Sequence, residues 1–189
     1  ALGRIKGAAA QANDQLGVVP SEIADKIVAA AAEVTDGRHD GEFPLDVYQT
    51  GSGTSSNMNA NEVIATIASR DGSRIHPNDH VNASQSTNDV YPTAVRLALW
   101  FAIGRLLESM ASLRRAFEAK ALEFKDILKI GRTQLQDAVP MTLGQEFLTY
   151  AIMIGEDEER LGEARALIEE INLGATAIGT GINAPHGYA

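Results

Sequence analysis

The chain has 189 residues, a formal net charge of −9 and no cysteine. The acidic balance argues against a nucleic-acid partner, which needs a basic surface. The lack of cysteine excludes disulfides, thiolate metal ligands and a cysteine nucleophile. Apolar residues never approach the roughly 18 consecutive positions of a membrane span, so we expect a folded, soluble protein with no membrane partner.

Helical patterns dominate the first third of the chain. Residues 2–16 are Ala-rich and amphipathic, and residues 21–35 repeat apolar side chains on one face. A third helical pattern covers residues 57–70. The sequence therefore predicts three short helices before residue 71.

Two polar segments separate and follow these helices. Residues 37–53 contain glycines and one proline and are expected to form a loop. Within this loop the alternation of Phe43, Leu45 and Val47 allows one short strand. Residues 71–87 are rich in turn-forming side chains and are predicted to be a second loop.

The longest predicted helix runs from about residue 88 to residue 126. Its apolar positions step by three or four residues for about five heptads. One interpretation is a helical hairpin within one bundle, and the other is a bundle helix covered by helices of other chains. We favour the second because the stripe is never interrupted. Its positions are Val95, Leu99, Ile103, Leu106, Met110, Leu113, Phe117, Ala121 and Phe124.

A third loop and a further long helix complete the pattern. Residues 131–141 contain Pro140 and are predicted to form the loop. Thr142 and Gln145 have the T-x-x-Q spacing of a capping box, which predicts the start of a helix over about 142–171. The elements together predict an all-α chain.

The first polar segment that carries chemistry runs from Thr50 to Asn57 and directly precedes a helix. Its glycines let backbone N–H groups approach a ligand, its hydroxyls donate hydrogen bonds, and a helix N-terminus favours an anion. The alternative is a Ser/Gly turn whose hydroxyls only cap the helix.

The second segment covers residues 76–89. Its tail, residues 86–88, again offers hydroxyl and amide donors at a helix start. His76, Asp79 and His80 could suggest a metal site, but their spacing is not H-E-x-x-H and no further ligand cluster accompanies them. We therefore expect no metal and no cofactor.

The third segment covers residues 131–140 and places Thr133 and Gln134 ahead of a helix. The alternative is an ordinary connector that buries an ion pair between Arg132 and Asp137. Taken together, the three segments predict a site for a small anion that is held by uncharged donors.

These segments resemble three blocks of the aspartase/fumarase superfamily, in order and in spacing. The blocks are Gly51–Asn59, His76–Asn82 with Gln85–Asp89, and Gly131–Glu146. The resemblance implies an all-α long-helix bundle of the aspartase/fumarase type. The bundle would be part of a tetrameric twenty-helix core, with each active site shared by three subunits.

The resemblance also implies a domain division. Residues 1–87 would be the C-terminal part of an N-terminal helical domain with a substrate loop. Residues 88–189 would be the first, truncated part of the central helix-bundle domain. The chain is accordingly expected to be an internal fragment of a longer, cytoplasmic protein.

The same resemblance implies a dicarboxylate substrate, L-aspartate or fumarate, and a set of residues that bind it. Thr54 would contact the substrate, the hydroxyls of the second block would hold one carboxylate, and the third block would close the site from another subunit. The substrate-binding residues are Ser52, Gly53, Thr54, Ser86, Thr87, Asn88, Thr133 and Gln134. A secondary anion site would comprise His76, Pro77, Asn78 and Asp79.

One position bears on the reaction. Class II fumarases usually read G-R-T-H in the third block, whereas this chain has Gln134, whose amide cannot relay a proton. The resemblance therefore favours deamination of L-aspartate, as in aspartate ammonia-lyases, with fumarate hydration as the alternative.

The general base of the superfamily is a serine in a G-S-S-x-M-P-x-K-x-N loop, and nothing in this chain matches that loop. No catalytic base is assigned, and Asp89 and Asp137 are not promoted to that role. A second alternative is therefore an inactive helical fragment.

Overall fold

The computed structural model describes residues 1–46, 48 and 52–189. These residues are mostly helical and include one antiparallel sheet of two strands. The predicted helical architecture of the aspartase/fumarase type is confirmed, with this small sheet added.

The described chain divides into two compact units. The first comprises residues 1–98 together with 170–189, and the second comprises residues 99–169. The first unit is therefore discontinuous in sequence. The domain division at residues 87 and 88 concerns the longer relatives of this chain and stays a prediction.

Three short helices form most of the first unit, as predicted. They are α1 (Leu2–Gln15), α2 (Ser21–Thr35) and α3 (Thr54–Ala68). The third begins three residues earlier than predicted, because Gly53 serves as its N-cap and the hydroxyl residues that follow are already helical.

The short strand predicted within the first loop does not form in the described residues. A 3-10 turn covers Asp40–Glu42, and residues 43–46 are irregular. Pro44 removes a backbone donor from this short stretch, which disfavours a ladder. Val47, the third position of the predicted alternation, lies outside the described residues.

The second predicted loop contains regular structure. A single π-helical turn covers Pro77–Val81, and His76 precedes it as the N-cap. Val81 points into the core of the first unit, so this turn is anchored by burial.

Small residues let the first helices pack closely. A Cβ on Gly3 would lie 2.7 Å from Thr35 Oγ1 and 2.9 Å from the Ala31 carbonyl oxygen, so only glycine fits there. The core behind this contact is aliphatic. It contains Ala10, Ile27, Ala30, Ala31, Ile64, Ala65, Ile67, Ala68, Ile75 and Val81.

The longest helix, α4, spans Thr87–Glu123 and confirms the predicted element to within three residues. The stripe residues Val95, Leu99, Leu106 and Leu113 are 43–47% exposed. By length and composition alone α4 qualifies as a membrane span among the described residues, as the core helix of a bundle also can. Whether other chains cover the stripe stays a prediction.

The prediction of a third loop over residues 131–141 is wrong, because these residues belong to a β-hairpin. Strand β1 covers Leu128–Thr133 and strand β2 covers Gln136–Thr142, with Thr133 opposite Gln136. The turn residues Gln134 and Leu135 have φ of 47° and 64°, the left-handed geometry of a tight two-residue hairpin. A proline is tolerated in β2 because both strands of a two-stranded ribbon are edges.

The last helix, α5, spans Leu143–Leu167. The predicted capping box is confirmed, since Thr142 Oγ1 accepts from the Gln145 backbone N–H and the Gln145 side chain accepts from the Thr142 N–H. Within the second unit the ring of Phe147 lies 5.9 Å from that of Phe117 and 5.3 Å from that of Phe124. These aromatic contacts join α5 to α4 and to the residue that directly follows α4.

Candidate active site

The first block lies at the start of α3. Gly53 has a φ of 82°, and a Cβ there would lie 2.3 Å from the ring of Tyr91, so the position requires glycine twice over. Ser52 and Thr54 are exposed on either side of it, with their hydroxyl oxygens 3.3 Å apart. Two hydroxyls therefore face solvent beside a helix N-terminus. Thr50 and Gly51 of the predicted block lie outside the described residues.

The second block lies at the start of α4. Ser86 Oγ accepts from the Asn88 backbone N–H at 3.2 Å, while Asp89 Oδ1 accepts from the Ser86 N–H at 2.9 Å. This reciprocal pair is a capping arrangement, so Ser86 has a structural role that the sequence reasoning did not give it. The Thr87 hydroxyl oxygen accepts from Asn57 Nδ2 at 3.0 Å.

Asn88 makes two hydrogen bonds with the segment that follows α5. Its side-chain Nδ2 donates to the Ala177 carbonyl at 2.7 Å, and its own carbonyl accepts from Asn172 Nδ2 at 3.1 Å. The contact with Ala177 uses the amide nitrogen of Asn88 and does not involve its amide oxygen. It is the part of the side chain that can accept a hydrogen bond from an ammonium group.

A buried polar network lies between the first and second blocks. Lys6 is 0% exposed, and its Nζ donates to Asn82 Oδ1 at 2.9 Å and to Gln85 Oε1 at 2.8 Å. Asn57 and Asn61 also donate to Asn82 Oδ1, at 3.3 Å and 3.2 Å. The network therefore joins α1, α3 and the segment that enters α4.

Burial has an electrostatic consequence for this network. It lowers the pKa of Lys6 from its ordinary value of 10.5 to about 7, and the nearby Asp89 carboxylate opposes part of that shift. A buried cation is costly unless it is hydrogen-bonded, and two side-chain oxygens meet that requirement here.

Asp89 is a structural anchor. It is fully buried, and its Oδ2 accepts from the backbone N–H groups of Gly174 and Thr176 at 3.1 Å and 2.9 Å. Its other oxygen accepts from Ser86. Both oxygens of this carboxylate thus accept from backbone donors, which gives Asp89 a structural role.

The residues of the predicted secondary anion site lie at the start of the π-helical turn, with His76 as its N-cap. His76 Nδ1 accepts from the backbone N–H groups of Asn78 and Asp79, both at 3.2 Å. The Asp79 carboxylate oxygen Oδ2 lies 3.3 Å from the same ring nitrogen. Among the described residues no group of three His, Asp or Glu side chains could hold a metal ion.

The third block forms the tip of the hairpin in the second unit. Thr133 ends β1, and Gln134 is an exposed turn residue. Arg132 Nε lies 3.2 Å from Asp137 Oδ1, so the predicted pair exists, but both side chains are more than two-thirds exposed and the pair is not buried. The first and second blocks are linked by hydrogen bonds within the first unit, and the third block belongs to the other unit.

Sequence reasoning missed the buried network. Two weak signals pointed to it. Lys6 is the lone lysine in an Ala-rich helix, and Asn57 and Asn61 repeat on one face of α3 although asparagine is a poor helix former. Within the first unit, the arrangement presents hydroxyls and amides that can donate hydrogen bonds to a small anion.

Comparisons with known proteins identify the family of this chain. The family model described as lyase matches residues 1–189. Fumarate hydratase class II of Mycobacterium tuberculosis (strain ATCC 25618 / H37Rv) is 53% identical over 189 residues, covering 100% of this chain and 40% of that protein. Aspartate ammonia-lyase of Escherichia coli (strain K12) is 50% identical over 193 residues, covering 98% of this chain and 40% of that protein. The chain thus spans about 40% of the length of these curated relatives.

Solved structures give the same result. Fumarate lyase:delta crystallin from Brucella melitensis, bound to cobalt, superimposes with a TM-score of 0.94 at 55% identity, covering 100% of this chain and 42% of that one. Class II fumarase from Schistosoma mansoni superimposes with a TM-score of 0.94 at 44% identity, covering 99% of this chain and 41% of that one. Since the family model covers the whole chain, the chain belongs to the lyase family, within the aspartase/fumarase superfamily.

Proposed function

We propose that the protein containing this chain deaminates L-aspartate to fumarate and ammonia. The observation that carries this choice is Gln134 in the third block, at the exposed tip of the hairpin. An amide there can hydrogen-bond an ammonium or carboxylate group but cannot exchange a proton with a catalytic water. That property suits loss of ammonia better than addition of water.

In the proposed reaction a base removes a proton from C3 of L-aspartate. The electron pair moves into the adjacent carboxylate, which becomes a dianionic aci-carboxylate, and then expels ammonia from C2 as the double bond forms. The base keeps the C3 proton until it is released. The hydroxyls of Ser86 and Thr87 would donate to the aci-carboxylate, where the charge increases most.

The remaining proposed roles follow from the donors and acceptors on the site. Asn88 would accept a hydrogen bond from the amino group, and Thr54 beside Ser52 and Gly53 would contact the substrate. Thr133 and Gln134 would complete the site from another subunit of a homotetramer. The residues from His76 to Asp79 would form the secondary anion site.

The catalytic base is proposed to lie in the serine loop of the superfamily, which this chain does not match. We therefore expect the 189-residue chain alone to give no turnover. We also propose a cytoplasmic protein that works without a cofactor and without a nucleic-acid or membrane partner.

Fumarate hydration is the second candidate. It is favoured by the class II fumarate hydratase of Mycobacterium tuberculosis at 53% identity, slightly above the aspartate ammonia-lyase of Escherichia coli at 50%. The two candidates share the aci-carboxylate and differ in the group that leaves C2.

The test is to supply the complete natural protein with L-aspartate or L-malate and follow fumarate by its ultraviolet absorbance. We expect fumarate from L-aspartate, and formation from L-malate alone would overturn the proposal in favour of the hydratase. Replacing Gln134 by His should lower kcat/KM for L-aspartate by about tenfold or more, because a titrating ring replaces the amide. Gln136→His, two residues along the same exposed hairpin, is the matched control and should have little effect.

A further inference from the structure

Lys6 fixes the direction of a chain of hydrogen bonds. The lysine nitrogen carries two protons when neutral and three when charged, so in either state it can donate to two partners. Its two described partners, Asn82 Oδ1 and Gln85 Oε1, must therefore both present oxygen to it. Asn82 and Gln85 can each be turned around about the last side-chain bond, but only one orientation of each gives the lysine nitrogen an acceptor.

The other contacts of these two amides agree with that orientation. Gln85 Nε2 donates to the carbonyls of Val81 and Ala83 at 3.1 Å and 3.0 Å. Asn82 Nδ2 faces the Gln85 carbonyl at 3.4 Å. The nitrogen of each amide thus has an acceptor, and its oxygen faces the lysine.

The orientation passes from Asn82 to Asn57. Because Asn82 presents its oxygen, Asn57 must present its Nδ2 group, at 3.3 Å. The same Nδ2 group donates to the hydroxyl oxygen of Thr87 at 3.0 Å. An Asn57 turned the other way would set two amide oxygens against each other in a buried site.

The Thr87 hydroxyl receives a hydrogen bond from the network, so its own proton must point elsewhere. We propose that Lys6, which acts through Asn82, and Asn57, which contacts Thr87 directly, are positioning residues. Together they keep the Thr87 hydroxyl proton directed out of the network and available to a substrate carboxylate. The inference rests on the proposed function, in which Thr87 binds that carboxylate. It adds a reason for a cation in the core of the first unit.

Asn61 provides a matched control for Asn57. Both side chains lie on the same face of α3, both are at most 1% exposed, and both donate to Asn82 Oδ1. Only Asn57 also donates to Thr87. An Asp at either position adds the same charge beside Asn82, but only an Asp at position 57 offers the Thr87 hydroxyl an acceptor that turns its proton inward.

The experiment compares Asn57→Asp with Asn61→Asp in the complete natural protein, by steady-state kinetics with L-aspartate and L-malate. Asn57→Asp should lower kcat/KM about 100-fold, the loss typical of removing one donor from a developing oxyanion, mainly through kcat. Asn61→Asp should lower it less than about tenfold, because its carboxylate has no contact with the hydroxyl. Equal losses would overturn the inference.

A double substitution separates positioning from general damage. Thr87→Val removes the hydroxyl, so Asn57→Asp in that background should lower kcat/KM less than about threefold further. Losses that multiply in the double variant would mean that Asn57 acts independently of Thr87, which contradicts the proposal. If circular dichroism shows that Asn57→Asp is unfolded, Asn57→Ala with its control Asn61→Ala takes its place.

Failure of the proposed function gives a different result. A natural protein that converts neither L-aspartate nor L-malate would overturn that function and this inference with it. An active wild-type protein in which the two Asp variants behave alike would overturn the inference and leave the proposed function standing.

Discussion

The two compact units use polar and apolar residues in opposite ways. The first unit buries a lysine, a carboxylate and several amides in its interior. The second unit leaves large apolar side chains such as Leu106, Leu113 and Leu148 between 46% and 47% exposed. The first unit is thus polar inside where its interior supports the proposed site, and the second is apolar outside along its helices.

The contrast shows that the spacing of apolar residues does not by itself determine burial. The stripe of α4 has near-heptad spacing, yet its leucines in the second unit are half exposed. In the first unit, small residues bring α1 and α2 into close contact, and Lys6 of α1 is fully buried against Asn82 and Gln85. The amphipathic pattern of a helix predicts which of its faces is apolar, but it does not predict what covers that face.

The largest expected effect comes from truncating the first unit's core. Ile64 is 0% exposed, and Ile64→Ala should lower the free energy of unfolding by about 2–5 kcal/mol. Leu113→Ala, at a stripe position that is 46% exposed, should cost less than about 1 kcal/mol in a monomer. Urea unfolding of the 189-residue chain measures both. Equal costs would show that the stripe is already covered, and light scattering would then reveal the assembly.

An intermediate effect is a pH dependence that belongs to the first unit. The pKa of Lys6 is about 7 when folded and 10.5 ordinarily, so between these values the unfolded chain binds more protons and folding is favoured as the pH rises. The free energy of unfolding should increase by at most about 1.4 kcal/mol per pH unit from pH ~7 to ~9.5. Below that window both states are protonated and this contribution to the slope vanishes.

Lys6→Met is the control for this pH effect. Met has no titrating group, so its unfolding free energy should lack the rise that the wild-type chain shows in urea melts between the two values. Parallel curves for the two proteins would show that the ammonium of Lys6 is not desolvated. Burial also raises the pKa of Tyr188, so above the ordinary pKa of tyrosine the unfolded chain loses a proton that the folded chain keeps. The pH window ends below that value to keep this opposite effect out of the measurement.

The smallest effect is expected at the entrance to α5 in the second unit. Thr142→Ala removes the side-chain acceptor of the Gln145 N–H and should cost about 0.5–2 kcal/mol. Thr142→Ser retains the acceptor and should cost little. Hydrogen exchange of the first turn of α5 resolves the two variants even where global unfolding does not, and identical exchange rates would contradict the capping role.

The helices could be predicted from the sequence because each carries its own local pattern. The T-x-x-Q box located the start of α5, and the apolar repeat located α4 to within a turn. The hairpin of β1 and β2 was missed because its turn has no glycine. Gln134 and Leu135 adopt left-handed angles that tertiary context imposes and local sequence does not announce.

The candidate site was predicted in part. The three blocks were identified from their hydroxyls, amides and glycines, and the structure joins the first two through Asn57 and Thr87. The network behind them could not be predicted because its members are far apart in sequence: Lys6 and Gln85 are separated by 79 positions. From the sequence alone, a lone lysine in an alanine-rich helix is predicted to be exposed to solvent, and only the packing around Lys6 shows that it is buried.

The backbone contacts of Asp89 limit when the first unit can finish folding during synthesis. Its carboxylate is closed by the N–H of Gly174, 85 residues later in the chain. At roughly 5–20 residues per second, the ribosome would need about 4–17 seconds to supply that donor after it has made the acceptor. During this interval α1, α2 and α3 can assemble, while the entrance to α4 still lacks the residues that seal it. The first unit is therefore completed only after the whole of the second unit has been translated.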